Sequence, residues 1–199
     1  MLEQIEKARS ERRAIFLKQY AKPDIDWNFL VEEINLDLSR KSLDDLGDTY
    51  IWKKENDMMM KDLFYIQLMS PFPTRNDIIN NLGHEFSKVF WNREEYNSHH
   101  IQFFINLVPK NKDIGDKPNS ETHCDNWDVV FMQLVGESTW NIYEKQEDKI
   151  PIQSETIVPG DVIIIPKGVY HEIYAHTPRA GVSMGYPDWN LVGEPDANL

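Results

Sequence analysis

A single cysteine, Cys124, is present in 199 residues. This excludes an intrachain disulfide framework and any zinc site built from several cysteines. Cations are also scarce. Lys plus Arg number 21 against 33 Asp plus Glu, a formal net charge of −12. Such a surface repels phosphate backbones, so no nucleic-acid partner is expected. No apolar run approaches the length needed to span a bilayer, so no membrane association is expected either. Met1 to Tyr20 mixes charged with apolar residues and lacks the apolar stretch of a secretion signal. The expectation is a soluble, cytoplasmic protein. Aromatics are plentiful at 12%, and 41% of residues are hydrophobic, enough to build a core.

The pattern changes near residue 100. Residues 1–99 read as a mostly helical region that packs on the second half of the chain. Leu2, Ile5, Ala8, Ile15 and Phe16 punctuate a charged stretch over 2–20, which suits an amphipathic helix that Pro23 ends. Trp27, Leu30, Val31, Ile34 and Leu38 form a second helical face, with Asp24 or Asp26 as N-cap. Leu63–Met69 reads as a strand. Thr74 and Asp77 resemble a capping box before a helix through Ile78, Ile79, Leu82, Phe86 and Val89.

Residues 100–199 read as strands divided by Gly/Pro turns: 101–108, 129–135, 139–143, 162–165, 173–175 and 181–185. That is the pattern of a β barrel or sandwich, in one compact unit with the helices before it.

Two segments hold the chemistry. In His123-Cys124-Asp125, a strand would send His123 and Asp125 to one face and Cys124 to the other. An imidazole beside a carboxylate is two-thirds of a metal site, although alone it is equally a hydrogen-bonded loop pair. In the second segment, Pro159 and Gly160 launch a β-branched strand, Pro166 ends it, Gly168 turns, and His171 opens the next strand.

The spacing G-x5-P-x-G-x2-H through Gly160, Pro166, Gly168 and His171 resembles the second cupin motif. The first motif, H-x-H-x3-E-x6-G, is matched in spacing by His123, Asp125, Val129 and Gly136, with Asp125 for the second histidine and Val129 for the glutamate. What remains is the two-His-one-carboxylate set of non-haem Fe(II) oxygenases. The chain thus resembles the cupin-like or JmjC-type Fe(II)- and 2-oxoglutarate-dependent oxygenases over roughly residues 100–187. The resemblance implies a double-stranded β-helix (cupin or jelly-roll) core, mainly β with N-terminal helices.

It also implies that His123, Asp125 and His171 are the catalytic, iron-binding residues, with 2-oxoglutarate as cosubstrate. JmjC-like relatives often carry a cation for the cosubstrate's distal carboxylate two residues after the first-motif glycine, where this chain has Ser138. Another branch places an arginine on the strand after the distal histidine, a position matched by Arg179, with Ser183 as its hydroxyl partner. Thr122 and Asn106 are further cosubstrate-binding candidates. The implied reaction is hydroxylation of a protein side chain or a small molecule. Two alternatives stay open: a metal-dependent cupin enzyme that does not use 2-oxoglutarate, and a non-catalytic cupin that binds a ligand. Cys124, His99, His100 and His176 read as structural or surface residues.

Overall fold

The computed structural model describes residues 2–40, 64–69, 76–81, 101–107 and 120–187. It contains helices α1 (Leu2–Glu11) and α2 (Trp27–Arg40) and strands β1 (Ile15–Leu17), β2 (Phe64–Met69), β3 (Ile101–Leu107), β4 (Ser120–His123), β5 (Trp127–Val135), β6 (Ser138–Tyr143), β7 (Gln153–Ile157), β8 (Val162–Ile165), β9 (Tyr170–Ala175) and β10 (Arg179–Pro187). They form a six-stranded sheet, ordered β1-β8-β5-β10-β3-β2, and a four-stranded sheet, ordered β4-β9-β6-β7. Every pairing is antiparallel. This is the double-stranded β-helix expected from the resemblance. No helix among the described residues is long and apolar enough to cross a membrane.

The alternation of β5 explains the layering. Val130, Met132 and Leu134 pack with Val162, Ile164, Ala180, Val182 and Met184 against Ile5, Ala8, Leu30 and Ile79 of the helical layer. Val129 and Phe131 project the other way and meet Trp140, Ile142, Ile157 and Ile163 between the sheets. The six-stranded sheet is thus covered on both faces, which is why β8 is an unbroken apolar run with all four residues buried.

The N-terminal stretch departs from the expected single helix. The helix stops at Glu11, because Arg12 takes a left-handed φ of 49° and the Arg13 amide bonds back to the Ala8 carbonyl at 3.1 Å. Ile15 and Phe16 are not helical. They lie in β1 and pair with Ile164 and Ile163. For α2 the cap is Asp26, whose Oδ1 accepts the Phe29 amide at 2.9 Å. Leu30 is buried, whereas its neighbour Val31 remains 52% exposed. At residue 76 the cap is Asn76, which accepts from the Ile78 and Ile79 amides at 3.0 and 3.1 Å. Thr74 and the expected helix beyond residue 81 lie outside the described residues. Strand β7 escaped the sequence reading, since its polar residues Gln153, Ser154, Glu155 and Thr156 carry little apolar signal.

The Pro159-Gly160-Asp161 turn is a tether for the N-terminal segment. Asp161 is 1% exposed and accepts from the amides of Gln19 (2.8 Å) and Val158 (3.1 Å) and from the Lys18 ammonium (3.2 Å). Burial alone would raise this carboxyl. The two amides and Lys18 outweigh it and hold the group below its ordinary 3.8. A depressed carboxyl stabilises the fold above its unfolded pKa, and that contribution is lost as pH falls through the folded value. Asp161→Asn is therefore expected to cost about 1–3 kcal/mol at pH 7. The gap to the original chain should close below pH 4, as followed by thermal unfolding across pH. A gap that does not narrow as pH falls further below 3.8 would show that packing, not charge, is responsible.

Candidate metal centre

Three side chains converge at one mouth of the barrel. His123 ends β4 and pairs directly with His171 of β9. Asp125 does not continue β4, as the strand reading had it, but sits in the turn between β4 and β5. That turn is tied to the Pro166–Gly168 turn by backbone, the Gly168 amide donating to the Asp125 carbonyl at 3.0 Å, and the start of β5 is tied there too, the Lys167 amide donating to Asp128 Oδ1 at 2.8 Å. Arg9 clamps the same Asp128 carboxylate at 2.6 and 2.5 Å. The two sequence motifs are thereby held together. One ligand atom from each of His123, Asp125 and His171 lies within 4.8 Å of the others.

The protonation pattern suits a cation. The His171 ring faces the Val169 carbonyl through Nδ1 at 3.1 Å. A carbonyl only accepts, so Nδ1 carries the hydrogen and Nε2 presents a lone pair. Burial, and then the neighbouring His123, push the His171 imidazole down to about 3, against the bond to Val169. The ring is neutral near pH 7. Burial raises the Asp125 carboxyl, with His123 acting in the opposite direction. His171 Nε2 and Asp125 Oδ2 stand 3.7 Å apart, two acceptors that need a cation or a proton between them. The donor set, two imidazoles and one carboxylate, fits a divalent transition metal with open positions.

A ladder of rings leads inward from the cluster. His123 and His171 have centroids 4.4 Å apart, and Trp140 stacks on His171 at 5.8 Å with 21° between planes. Phe131 lies 5.0 Å from Trp140, and the Arg179 guanidinium sits 5.7 Å from the Phe131 centroid. Gly181 makes room for that ring, since a Cβ there would come within 2.0 Å of Phe131 Cζ. The Trp140 indole is oriented in turn. Its Nε1 donates to Ser138 Oγ at 3.2 Å, Ser138 donates to Gln133 Oε1 at 3.0 Å, and Gln133 Nε2 donates to the Val135 carbonyl at 2.7 Å. Sequence reasoning passed over Trp140 and Phe131. Counting alternate residues inward from Ser138 and Val129 would have found both.

The remaining candidates separate. Arg179 is 3% exposed and is the only buried Lys or Arg among the described residues. Ser183 pairs with Phe131 across β5 and β10, and Asn106 pairs with Arg179 across β3 and β10. Ser138 is fully buried in the Gln133 network, so its position brings no cation. Thr122 is turned away from the expected cosubstrate position. Its hydroxyl donates to Glu172 Oε2 at 3.2 Å, and Glu172 alternates with His171 along β9 and faces the opposite side of the sheet. Asn141 and Tyr143 also donate to Glu172, which closes that polar cluster. Cys124 lies beside the Tyr170 hydroxyl, and His176 bonds Thr139 Oγ1 at 2.6 Å, both as structural residues.

A family model described as the JmjC domain matches residues 91–192, just over half of the chain. A structure of YcfD, a ribosomal oxygenase from Escherichia coli, aligns with a TM-score of 0.51 at 16% identity, covering 98% of this chain and 59% of that one. A crystal structure of the Escherichia coli ribosomal oxygenase YcfD aligns with a TM-score of 0.50 at 16% identity, covering 91% of this chain and 50% of that one. The chain therefore spans about half to three-fifths of these solved relatives. At such identity the likeness is one of fold. No curated protein matches the sequence.

Proposed function

Because the chain belongs to the JmjC-domain family, we propose that it is an Fe(II)- and 2-oxoglutarate-dependent oxygenase, and specifically a hydroxylase. The observation that carries this reading is the convergence of His123, Asp125 and His171 within 4.8 Å. Two imidazoles and a carboxylate would hold the iron and leave positions for the cosubstrate and dioxygen. Bound iron with 2-oxoglutarate supplies oxidation of a substrate C–H bond by dioxygen, with decarboxylation of the cosubstrate to succinate. The chain's own part is to fix the donors, dry the site and orient the acid. Trp140 and Phe131, at 2% and 3% exposure, exclude water beneath the cluster. Arg179 is proposed to take the distal carboxylate, because its planar fork binds two oxygens and no other buried cation stands among the described residues. Ser183, further along the same strand, and Asn106, paired with Arg179 on β3, keep secondary roles. A basic protein or peptide suits the −12 charge better than a small acid or a nucleic acid as substrate.

The test is anaerobic addition of Fe(II) and then 2-oxoglutarate, followed by visible absorption. A charge-transfer band that needs both additions is expected. Arg179→Ala should raise the 2-oxoglutarate concentration for half the band by about 10- to 100-fold, with iron affinity held within about twofold. Iron binding without any band would favour a cupin enzyme independent of 2-oxoglutarate. Absence of iron binding would leave a ligand-binding barrel.

A further inference from the structure

Strand β7 carries polar side chains on its inward face. Ser154 and Thr156 are exposed, whereas Gln153 and Glu155 are half-buried on the side of the fully buried Ile157. Gln153 pairs with Ile142, Ile142 with His171, and His171 with His123. Directly paired residues share a sheet face, so these four form one row across the four-stranded sheet. Paired Cα atoms lie about 4.5–5.5 Å apart, which puts Gln153 about 10 Å from His171, two strands away. Ile142 between them is fully buried and belongs to the core.

In this row Gln153 Oε1 is buried and meets no donor among the described residues. A buried carbonyl oxygen without a partner is costly, and such atoms are few in folded proteins. A polar atom kept unsatisfied on the interior face, in the row of the two histidines, fits a group that is completed from outside the protein.

We infer that Gln153 Oε1 is a substrate-recognition acceptor. It takes an N–H or O–H donor of the substrate while the reacting carbon lies at the His123, Asp125 and His171 cluster. The inference rests on reading that cluster as the reaction centre. Glu155, next inward on the same strand and paired with Trp140, adds a second acceptor toward the same edge.

The test uses the full-length chain and small probes at millimolar concentration. The Gln153 carboxamide proton and nitrogen resonances are assigned by their loss in Gln153→Met. Methylguanidinium, methylammonium and N-methylacetamide supply donors. Tetramethylammonium and N,N-dimethylacetamide are the donor-less controls. At least one donor should shift the Gln153 carboxamide resonances and the backbone amides of residues 153 and 154, its matched control should not, and Gln153→Met should weaken the backbone-amide response to that donor at least tenfold. The metal-free Gln153→Met protein should also melt about 2–4 °C higher, because an unsatisfied acceptor has been removed. A lower melting temperature would show that Oε1 has a partner within the protein and overturn the inference, as would equal responses to donors and controls. Should Gln153→Met fail to fold, Gln153→Glu keeps the acceptor and should bind the cationic donors more tightly; weaker binding would overturn the inference. The charge-transfer titration on the same wild-type sample separates the two readings. A band without a donor response removes the role of Gln153 alone, and a donor response without a band removes the oxygenase reading alone.

Discussion

Asp125→Ala is expected to abolish iron loading without unfolding the chain. The two consequences separate because Asp125 acts through different atoms. Its carbonyl oxygen accepts the Gly168 amide and holds the two turns together, and alanine keeps that bond. Its carboxylate faces the His171 Nε2 lone pair at 3.7 Å, an arrangement that does not favour the metal-free fold. Deleting it removes a ligand and a like-polarity contact together. Iron affinity should fall by more than about 100-fold, beyond the range that removal of a mere outer-sphere partner produces. The melting temperature in chelator should stay level or rise. His171→Ala makes the contrast. That ring is 2% exposed and stacked on Trp140, so its removal should weaken iron equally and also cost about 2–4 kcal/mol for the cavity. Anaerobic iron titration with thermal unfolding in chelator reads both. Near-normal iron affinity in Asp125→Ala would end the assignment of the triad.

Gly160→Ala is expected to be strongly destabilising for a single added methyl group. Gly160 has φ +91°, and an added Cβ would stand 2.1 Å from the Ala21 carbonyl oxygen. The left-handed conformation costs about 1–2 kcal/mol for a non-glycine residue. The clash adds more, because Ala21 cannot retreat freely. Its amide donates to the Gly160 carbonyl at 3.2 Å, and Gln19 just before it is bound to Asp161. Relief therefore means detaching residues 18–21. A total of about 3–5 kcal/mol corresponds to a melting temperature roughly 10 °C lower. Gly168→Ala is the internal control. Gly168 also has a positive φ, +76°, but nothing lies within 4 Å of its would-be Cβ, so only the conformational cost applies. Equal losses in the two variants would show that the contact with Ala21 is not what matters.

These examples mark what the sequence displays and what it hides. The β8 segment is legible because Pro159-Gly160 and Pro166-x-Gly168 punctuate an apolar run, and local chemistry decides local structure there. The spacing of His123, Asp125 and His171 is legible for the same reason, and the structure brings the three together. Ile15–Leu17 is hidden because three residues give no period, and the partner strand is far along the chain. Thr122 misleads because adjacency to a ligand in sequence means the opposite face in a strand. Asp26 over Asp24, and Asn76 over Thr74, are choices among equally good capping residues that only the backbone path settles. Trp140 and Gln153 face inward by parity, but parity becomes useful only once strand boundaries are known.

The short strand β1 has a further consequence. It lies at the rim of the six-stranded sheet, and its inner neighbour is β8, the run Val162–Ile165. Without β1 that run would present open backbone groups on an all-apolar, β-branched segment, a template for another chain. With β1 in place the rim is only three residues long, too little for a stranger to pair with. Lys18, immediately after β1, contacts Asp161 across 143 positions of chain. A growing polypeptide must therefore carry β1 unpaired until β8 has been made. Folding of this kind is slow, since a large loop is closed before the contact repays it. The tether at Asp161 is what makes that late arrival permanent.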